Sequence, residues 1–143
     1  MIKIRHIGIT VIDLEKMLNF YQCLLGFTSS KIALESGEYI DNFSSLKDVK
    51  VTTAKLSNSF GDVMIELLKY HSHKTSCSFK NINDGGISHF AITVEDIASV
   101  YETLSRKDIH FNCEPQKSPD GSALVTFCRD PEGNLIEVVE VLS

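Results

Sequence analysis

The chain has 143 residues, of which 43% are hydrophobic and 23% charged, and its formal net charge is −5. This size and composition are typical of one globular domain, and no stretch is apolar for long enough to span a membrane. The acidic balance disfavours a surface for nucleic acid or anionic lipid. It leaves a small anionic substrate open, because local basic groups can reverse the sign within a site.

The first half of the chain predicts one strand, one helix and three further strands. Residues 6–12 alternate between apolar and polar or small side chains, as a half-buried strand does. Asp13 stands where a helix N-cap belongs, apolar residues follow at helical spacing to Leu25, and Gly26 is placed to end the helix. Strands are then expected over 27–34, 51–56 and 63–69, with a polar insertion or short helix over 35–50.

A polar connector over about 71–86 leads into a second half with the same plan. Residues 87–94 alternate again, and either Glu95 or Asp96 begins a helix that carries apolar residues to Leu104. Three strands are predicted near 109–113, 123–128 and 134–141, with a turn over 130–133.

The second half repeats the first. Residues 4–13 return as residues 87–96, and the strand that contains Glu66 returns as the strand that contains Glu137. We therefore expect a single α+β domain over 1–143, built from two tandem βαβββ modules at about 1–70 and 87–143. A sheet with a helix on one face leaves its other face bare. The two bare faces are expected to form one cupped, mostly antiparallel sheet with the helices outside.

Histidine and glutamate occupy matching places in the two copies. On both histidine-bearing strands the bulky apolar side chains point to the face opposite the histidine. The other residues on the histidine face are small or polar. These neighbours are Gly8, Thr10, Ala91 and Thr93. Because they leave room beside each imidazole, the pattern favours a cavity over a packed core.

The residues that come into register are His6, Glu66, His89 and Glu137. An isolated histidine is more often solvated or packed in the core than it is a ligand, but recurrence in both modules favours ligation. A carboxylate inside an apolar strand is costly unless it is paired or bound to metal. The alternative is that each glutamate points to solvent, as we expect for Glu140.

These stretches resemble the vicinal oxygen chelate superfamily, which contains glyoxalases, bleomycin-resistance proteins and dioxygenases. The resemblance covers nearly the whole chain. Its motifs are residues 6–21 with Leu25-Gly26-Phe27, then Ile65-Glu66-Leu67, residues 88–96, and residues 127–137 with the turn Asp130-Pro131-Glu132-Gly133-Asn134.

The resemblance implies that His6, Glu66, His89 and Glu137 bind one divalent metal ion. Two imidazoles and two carboxylates suit Zn²⁺, Ni²⁺, Co²⁺, Mn²⁺ or Fe²⁺, and positions remain for substrate oxygens. The implied enzyme is a lyase or isomerase that abstracts a proton next to a carbonyl, with a metal-stabilised enolate or enediolate. Glu66 and Glu137 would take part in the proton transfer. The implied partners are a small carbonyl or thioester substrate and a second copy in a homodimer. Members of the superfamily close the cup either within one chain or across a dimer, and the resemblance leaves both arrangements open.

The resemblance leaves substrate and class open. The Glu-Leu-Thr-Tyr-Asn-Trp stretch of glutathione-dependent glyoxalases is replaced by Glu66-Leu67-Leu68-Lys69-Tyr70, and the opening strand looks more like methylmalonyl-CoA epimerases and other glyoxalase-like proteins. Glutathione hemithioacetals and acyl-CoA esters are the two implied substrate classes. A non-catalytic binding protein like the antibiotic-resistance members is one alternative. An extradiol-type dioxygenase is another, which the extra carboxylate of Glu66 disfavours.

Other polar residues are not expected to be ligands. We expect the His71-x-His73 pair to lie in a surface loop and His110 to be structural or exposed. Glu35 or Glu38 could supply a further acid–base group. Contacts to an anionic substrate could come from Arg5, Lys69, Tyr70 and Arg129. Substrate identity is expected to depend on the parts where the halves differ, 35–50 and 71–86.

The four cysteines are Cys23, Cys77, Cys113 and Cys128, with no close pairing such as CxxC. A chain of this size can make its own core, so we expect reduced and mostly buried thiols. The N-terminus runs into strand-like sequence without a secretory signal, which predicts a cytoplasmic protein.

Overall fold

The computed structural model describes residues 1–61, 63–77 and 79–143 and contains two modules, each with one strand, a helix and three further strands, to which the first module adds a second helix. The chain divides into two compact units, 1–77 and 78–143. The first contains β1 (His6–Thr10), α1 (Leu14–Leu18) continued by a π-helical segment (Asn19–Leu24), β2 (Thr28–Ser36), α2 (Glu38–Ser44), β3 (Lys50–Ser57) and β4 (Met64–Tyr70). The second contains β5 (His89–Thr93), α3 (Ile97–Ser105), β6 (Gln116–Lys117), β7 (Ala123–Arg129) and β8 (Leu135–Val141).

Each module forms its own four-stranded mixed sheet. The strand orders are β1-β4-β3-β2 and β5-β8-β7-β6. In both sheets the first pair is parallel and the other two pairs are antiparallel. The predicted α+β class with two tandem βαβββ modules is therefore confirmed.

The internal repeat extends to the register of the strands. Gly8 is the Cα partner of Glu66 across β1 and β4, and Ala91 is the partner of Glu137 across β5 and β8. In each module the glutamate thus lies opposite the small residue that follows the histidine by two positions. Because side chains alternate along a strand, histidine and glutamate share a face.

Both main helices begin at the aspartate that their sequences suggested. Asp13 Oδ1 accepts a hydrogen bond from the Lys16 amide at 3.0 Å, and Asp96 Oδ1 accepts from the Ser99 amide at 2.9 Å. The choice between Glu95 and Asp96 is therefore settled for Asp96, whose short side chain reaches the first-turn amides. Gly26 has φ 75°, the left-handed conformation expected after a helix.

The helix that follows the first strand of each module covers the sheet face that points away from the histidine. In the first module Val11, Ala54, Leu56 and Leu67 of this face are buried, together with the helical residues Met17, Phe20 and Tyr21. In the second module Ile136, Val138 and Cys128 are buried, together with Ile97 and Leu104 of α3. This arrangement confirms the alternation predicted for the histidine-bearing strands.

The segment over 35–50 contains a short helix, α2, as one of the two predicted alternatives. Ile40 of α2 and the following Val49 pack against Val51, with Leu68 and Tyr70 partly buried beside them. Val51, Leu68 and Tyr70 lie on the sheet face of Glu66. The helix therefore covers the far end of that face and leaves the His6 end open.

The strand predicted over 109–113 is wrong in its position. Phe111 makes only an isolated bridge to Cys128, and the strand that pairs with β7 is the two-residue β6, farther along the chain. Pro115 lies between the two stretches and has no amide to donate to a ladder, so regular pairing cannot run through it.

The cysteines are all free, but the expectation that most of them are buried is wrong. Cys23, Cys77 and Cys113 are exposed, and Cys128 is buried. Cys128 lies on the helix-covered face of β7, whereas the others lie in the π-helical segment and in two loops. Among the described residues, no helix is both long enough and apolar enough to cross a bilayer.

Candidate metal centre

The first module brings His6 and Glu66 together. His6 Nε2 lies 3.3 Å from Glu66 Oε2, at the open end of the sheet face. The glutamate side chain is 14% exposed and the histidine side chain 40%. Parallel pairing of β1 with β4 produces this contact, because Glu66 lies opposite Gly8 and only one pleat from His6.

The second module repeats the contact between His89 and Glu137. His89 Nε2 lies 3.5 Å from Glu137 Oε2, and the glutamate side chain is 27% exposed. In each module a ring nitrogen and a carboxylate oxygen thus approach each other while both remain accessible. This donor set is one that borderline divalent metal ions prefer.

Small residues leave space above both glutamates. A Cβ at Gly8 would meet only Leu68 Cδ1 among nearby atoms, at 3.5 Å, which is ordinary contact. Ala91 occupies the same place in the second module. A larger residue at either position would stand directly opposite the carboxylate and fill the space beside it.

A hydrogen bond with Ser88 orients the ring of His89. Ser88 Oγ lies 2.8 Å from His89 Nδ1. Held through Nδ1, the imidazole keeps Nε2 towards Glu137, which is the arrangement that metal-binding histidines usually show. Arg5 takes the equivalent position before His6, so the two modules support their histidines differently.

The modules also differ in what lies beside the glutamate. Lys55 is the register partner of Glu66 on β3, and its Nζ lies 3.9 Å from Glu66 Oε1. In the second module Phe127 is the partner of Glu137, and its ring packs edge-on against His89 with centroids 5.1 Å apart. One pair is flanked by a cation and the other by an aromatic ring.

A cleft of about 400 Å³ opens on the same face of the first module. Thr10 and Tyr70 reach it from the sheet, Leu46 from the stretch 35–50, and His73 and Cys77 from the connector. The two stretches expected to determine substrate identity therefore line one cleft.

Each module contributes two ligand candidates. Within the described residues of either unit, no three histidine, cysteine, aspartate or glutamate side chains gather closely enough to hold a metal ion. The chemistry of each pair fits half of a four-ligand site, and the union of both pairs in one centre belongs to the proposal below.

Several of the other candidates make structural contacts. The Lys69 ammonium donates to the Ile12 carbonyl, and Arg129 donates to the Gly133 and Lys80 carbonyls while lying over the Phe79 ring. Glu140 does not simply point to solvent, because its Oε2 accepts from the Ile97 amide at 2.8 Å. This interaction places a negative charge at the N-terminus of α3, where it is favourable.

The remaining candidates lie apart from the two pairs. His71 Nε2 contacts Thr52 Oγ1 at 2.7 Å, and His73 Nδ1 contacts Ser72 Oγ at 2.8 Å. Glu35 lies on β2, where it pairs with Val51 of β3, and Glu38 lies in the first turn of α2. Arg5 is exposed. The backbone carbonyl of His110 accepts a hydrogen bond from the Arg129 amide.

Sequence reasoning missed Lys55 and Ser88. Lys55 was visible as a lone charge in the predicted strand 51–56, and a hairpin register through the turn after Ser57 would have placed it opposite Glu66. Ser88 directly precedes a candidate ligand, and its hydroxyl could have been considered as a support for the ring.

Residues 3–138 match the family model of the Glyoxalase/Bleomycin resistance protein/Dioxygenase superfamily. The chain is 28% identical over 140 residues to a probable lactoylglutathione lyase from Synechocystis, covering 96% of this chain and 95% of that protein. A glyoxalase family protein from Bacillus cereus has a TM-score of 0.92 at 23% identity, covering 100% and 96% of the two chains. An antibiotic-binding protein from Streptomyces has a TM-score of 0.66 at 15% identity, covering 99% and 98%.

The chain belongs to this superfamily, and the resemblance drawn from the motifs is confirmed. At 23% and 15% identity the two solved structures establish the fold alone, and both an enzyme and a binding protein are compatible with it.

Proposed function

We propose that this member of the superfamily is a metal-dependent lyase or isomerase that removes a proton next to the carbonyl of a small carbonyl compound or thioester. The observation that carries the proposal is the recurrence of one histidine–glutamate pair in the same register of both modules, with Nε2–Oε2 distances of 3.3 and 3.5 Å. The name of the Synechocystis relative, a probable lactoylglutathione lyase, points to the same reaction class.

The residues that would hold the metal are His6, Glu66, His89 and Glu137, as one centre. Zn²⁺, Ni²⁺, Co²⁺, Mn²⁺ or Fe²⁺ would suit two imidazoles and two carboxylates. A bound ion would supply Lewis-acid stabilisation of the negative charge that develops on the carbonyl oxygen. Gly8 and Ala91 leave space opposite the two glutamates, and substrate oxygens would occupy this space at the proposed metal centre.

Glu137 is the residue that we assign to proton abstraction. Its side chain is 27% exposed and is flanked by the Phe127 and His89 rings, whereas Glu66 is 14% exposed and has the Lys55 ammonium near Oε1. A base must reach the substrate and have a free oxygen to accept the proton. Glu66 is therefore the more constrained carboxylate, which we assign to metal binding and to the second proton transfer.

The cleft of the first module supports an extended substrate. Thr10 lies on the same face as His6, about 13 Å along the strand at the usual rise per residue. Glutathione hemithioacetals and acyl-CoA esters both have a long part remote from the reacting carbon, which this cleft would hold. We place the protein in the reducing cytoplasm, in keeping with its four free cysteines.

We also propose a homodimer. Two rings of α2, Tyr39 and Phe43, are exposed and pack edge-on against each other with centroids 5.1 Å apart. Exposed aromatic side chains of this kind are enriched at protein interfaces. Light scattering should give twice the mass of the chain, and a monomer at micromolar concentration would contradict the proposal.

The enzyme proposal is tested by turnover with added Ni²⁺, Co²⁺ or Zn²⁺, using the hemithioacetal of methylglyoxal and glutathione and, separately, methylmalonyl-CoA. Glu137→Gln should lower kcat by about 10²-fold or more, because an amide cannot accept the proton. The matched control is Glu102→Gln on α3, an exposed carboxylate paired with Arg106, and it should leave kcat unchanged.

Absence of turnover in the metal-loaded protein with both substrates would contradict the proposal, as would an equal kcat in Glu137→Gln. Tight binding of an antibiotic without turnover would favour a binding protein. Oxygen consumption with catechol on Fe²⁺ would favour a dioxygenase.

A further inference from the structure

The two modules diverge at one position beside the candidate metal ligands. In the first sheet the register aligns Gly8, Glu66, Lys55 and Lys31 in one row across the four strands. The corresponding row of the second sheet reads Ala91, Glu137 and Phe127. Both rows therefore have a small residue followed by a glutamate. The next position is Lys55 in the first module and Phe127 in the second, and Lys31 follows Lys55 on the outer strand.

A β-bulge in β2 brings the second lysine into this row. Ser29 pairs with Leu56, whereas Lys31 pairs with Lys55, so Ser30 is an extra residue whose hydroxyl donates to the Lys55 carbonyl at 3.1 Å. Without the bulge, Lys31 would pair with Ala54 on the helix-covered face, since a one-residue slip exchanges the faces. Bulges next to sites commonly redirect a side chain in this way.

Within the described residues, the Lys55 ammonium makes an ion pair with Glu66 and no hydrogen bond, so its donors are available to a ligand. Its 3.9 Å separation from Glu66 Oε1 is an ion pair but is longer than a hydrogen bond. Glu66 Oε2 is turned towards His6, so the two carboxylate oxygens face different partners. The Lys55 side chain is 36% exposed, and a ligand on this face can reach its three N–H donors.

The alignment of Lys31 with Lys55 has a cost in the absence of a ligand. Like charges directly opposite each other on neighbouring strands are destabilising. The pair occurs in a chain whose formal net charge is −5, so a general excess of basic residues does not explain it. An anionic group bound between the lysines and the metal ligands would offset the repulsion.

We propose that Lys55, assisted by Lys31, is the specificity-determining residue of the site and selects substrates that carry a carboxylate close to the chelating oxygens. The inference rests on the proposed metal-dependent function and narrows its substrate class to anionic carbonyl compounds or thioesters. In the corresponding row of the second module, Phe127 takes the place of Lys55, so the position beside Glu137 has no positive charge.

The test uses two metal-chelating probes of the same shape that differ in charge. Malonomonohydroxamate carries a carboxylate, and the hydroxamate of malonamic acid carries a neutral amide in its place. Binding to the Co²⁺-loaded full-length protein is measured by calorimetry and by the visible spectrum of the ion, after metal uptake has been verified by elemental analysis. Wild type should bind the carboxylate probe about tenfold more tightly, as expected for a charge-assisted hydrogen bond.

Lys55→Met should abolish this preference and leave the affinity for the amide probe within about twofold, and Lys31→Met should reduce the preference by less. Lys50→Met is the matched control, because Lys50 is on the same strand but on the opposite face, and it should retain the full preference. Metal uptake with equal preference in wild type and Lys55→Met would overturn this inference alone. Failure of wild type to take up Co²⁺ would overturn the proposed function, and this inference with it.

Discussion

At the scale of single residues, the two histidine–glutamate pairs have different neighbours. In the first module the Lys55 ammonium lies 3.9 Å from Glu66 Oε1. In the second module Ser88 Oγ lies 2.8 Å from His89 Nδ1, which holds the ring with Nε2 towards Glu137. A substitution at one of these neighbours therefore changes the surroundings of one ligand candidate and leaves the candidate itself in place.

Ser88→Ala should weaken metal binding by about 10-fold to 100-fold, the usual effect of losing the hydrogen bond behind a metal-binding histidine. The reason is the 2.8 Å contact between Ser88 Oγ and His89 Nδ1. Ser72→Ala is a matched control, because Ser72 makes the same 2.8 Å contact with His73, which we do not assign as a ligand. Competition with a chromophoric chelator measures both affinities, and an equal loss in the two variants would contradict the assignment of His89.

Burial, and secondarily the negative charge of Asp130, raises the pKa of the Cys128 thiol to about 12, from an ordinary value of 9.0. The folded state therefore favours the neutral thiol. The stability that this provides is complete below pH 9 and is lost as the pH rises from about 9 towards 12, because only the unfolded chain readily forms the thiolate.

With a thiol reagent at pH 8, three cysteines should react rapidly and Cys128 only on unfolding, since the other three are exposed. Cys128→Ala in the folded protein should leave the fast count at three. Rapid reaction of all four thiols in the folded wild type would contradict the assigned burial.

At the scale of the elements, the sequence predicted where the helices begin more accurately than it predicted the strand over 109–113. Asp13 and Asp96 could be predicted because an N-cap is a local interaction. The strand expected over 109–113 failed because its pairing depends on β7 and is interrupted near Pro115. The helix over 38–44 was one of two open alternatives, since its burial depends on a tertiary contact with Val51.

Asp96→Ala should lower the free energy of unfolding by about 1 kcal/mol, the usual cost of losing an N-cap. The neighbouring Glu95 was the other candidate cap, and Glu95→Ala should change it by less than about 0.5 kcal/mol, as an exposed substitution does. Urea unfolding at pH 7 measures both values. A larger loss in Glu95→Ala than in Asp96→Ala would show that the helix begins differently.

At the scale of the whole molecule, the repeat predicted the order of the strands, and the structure extends the repeat to the register of the strands, because a duplicated pattern must solve the same packing problem twice. Gly8 opposite Glu66 and Ala91 opposite Glu137 are the clearest case. The substrate was not predictable in this way. We propose that the substrate is selected by the cleft that Leu46 and the connector line and by Lys55, which are features of one module alone. Repetition could identify neither Lys55 nor Ser88, because both lie at positions where the two copies differ.

We propose above that the two histidine–glutamate pairs together hold a single metal ion. The most direct measurement is metal content after reconstitution of the untagged protein with Co²⁺ or Zn²⁺ and removal of excess ion. We predict one ion per chain in wild type and in the surface control His71→Ala, and a content well below one ion per chain in both His6→Ala and His89→Ala. Two ions per chain, or equal uptake in wild type and both ligand variants, would contradict the claim.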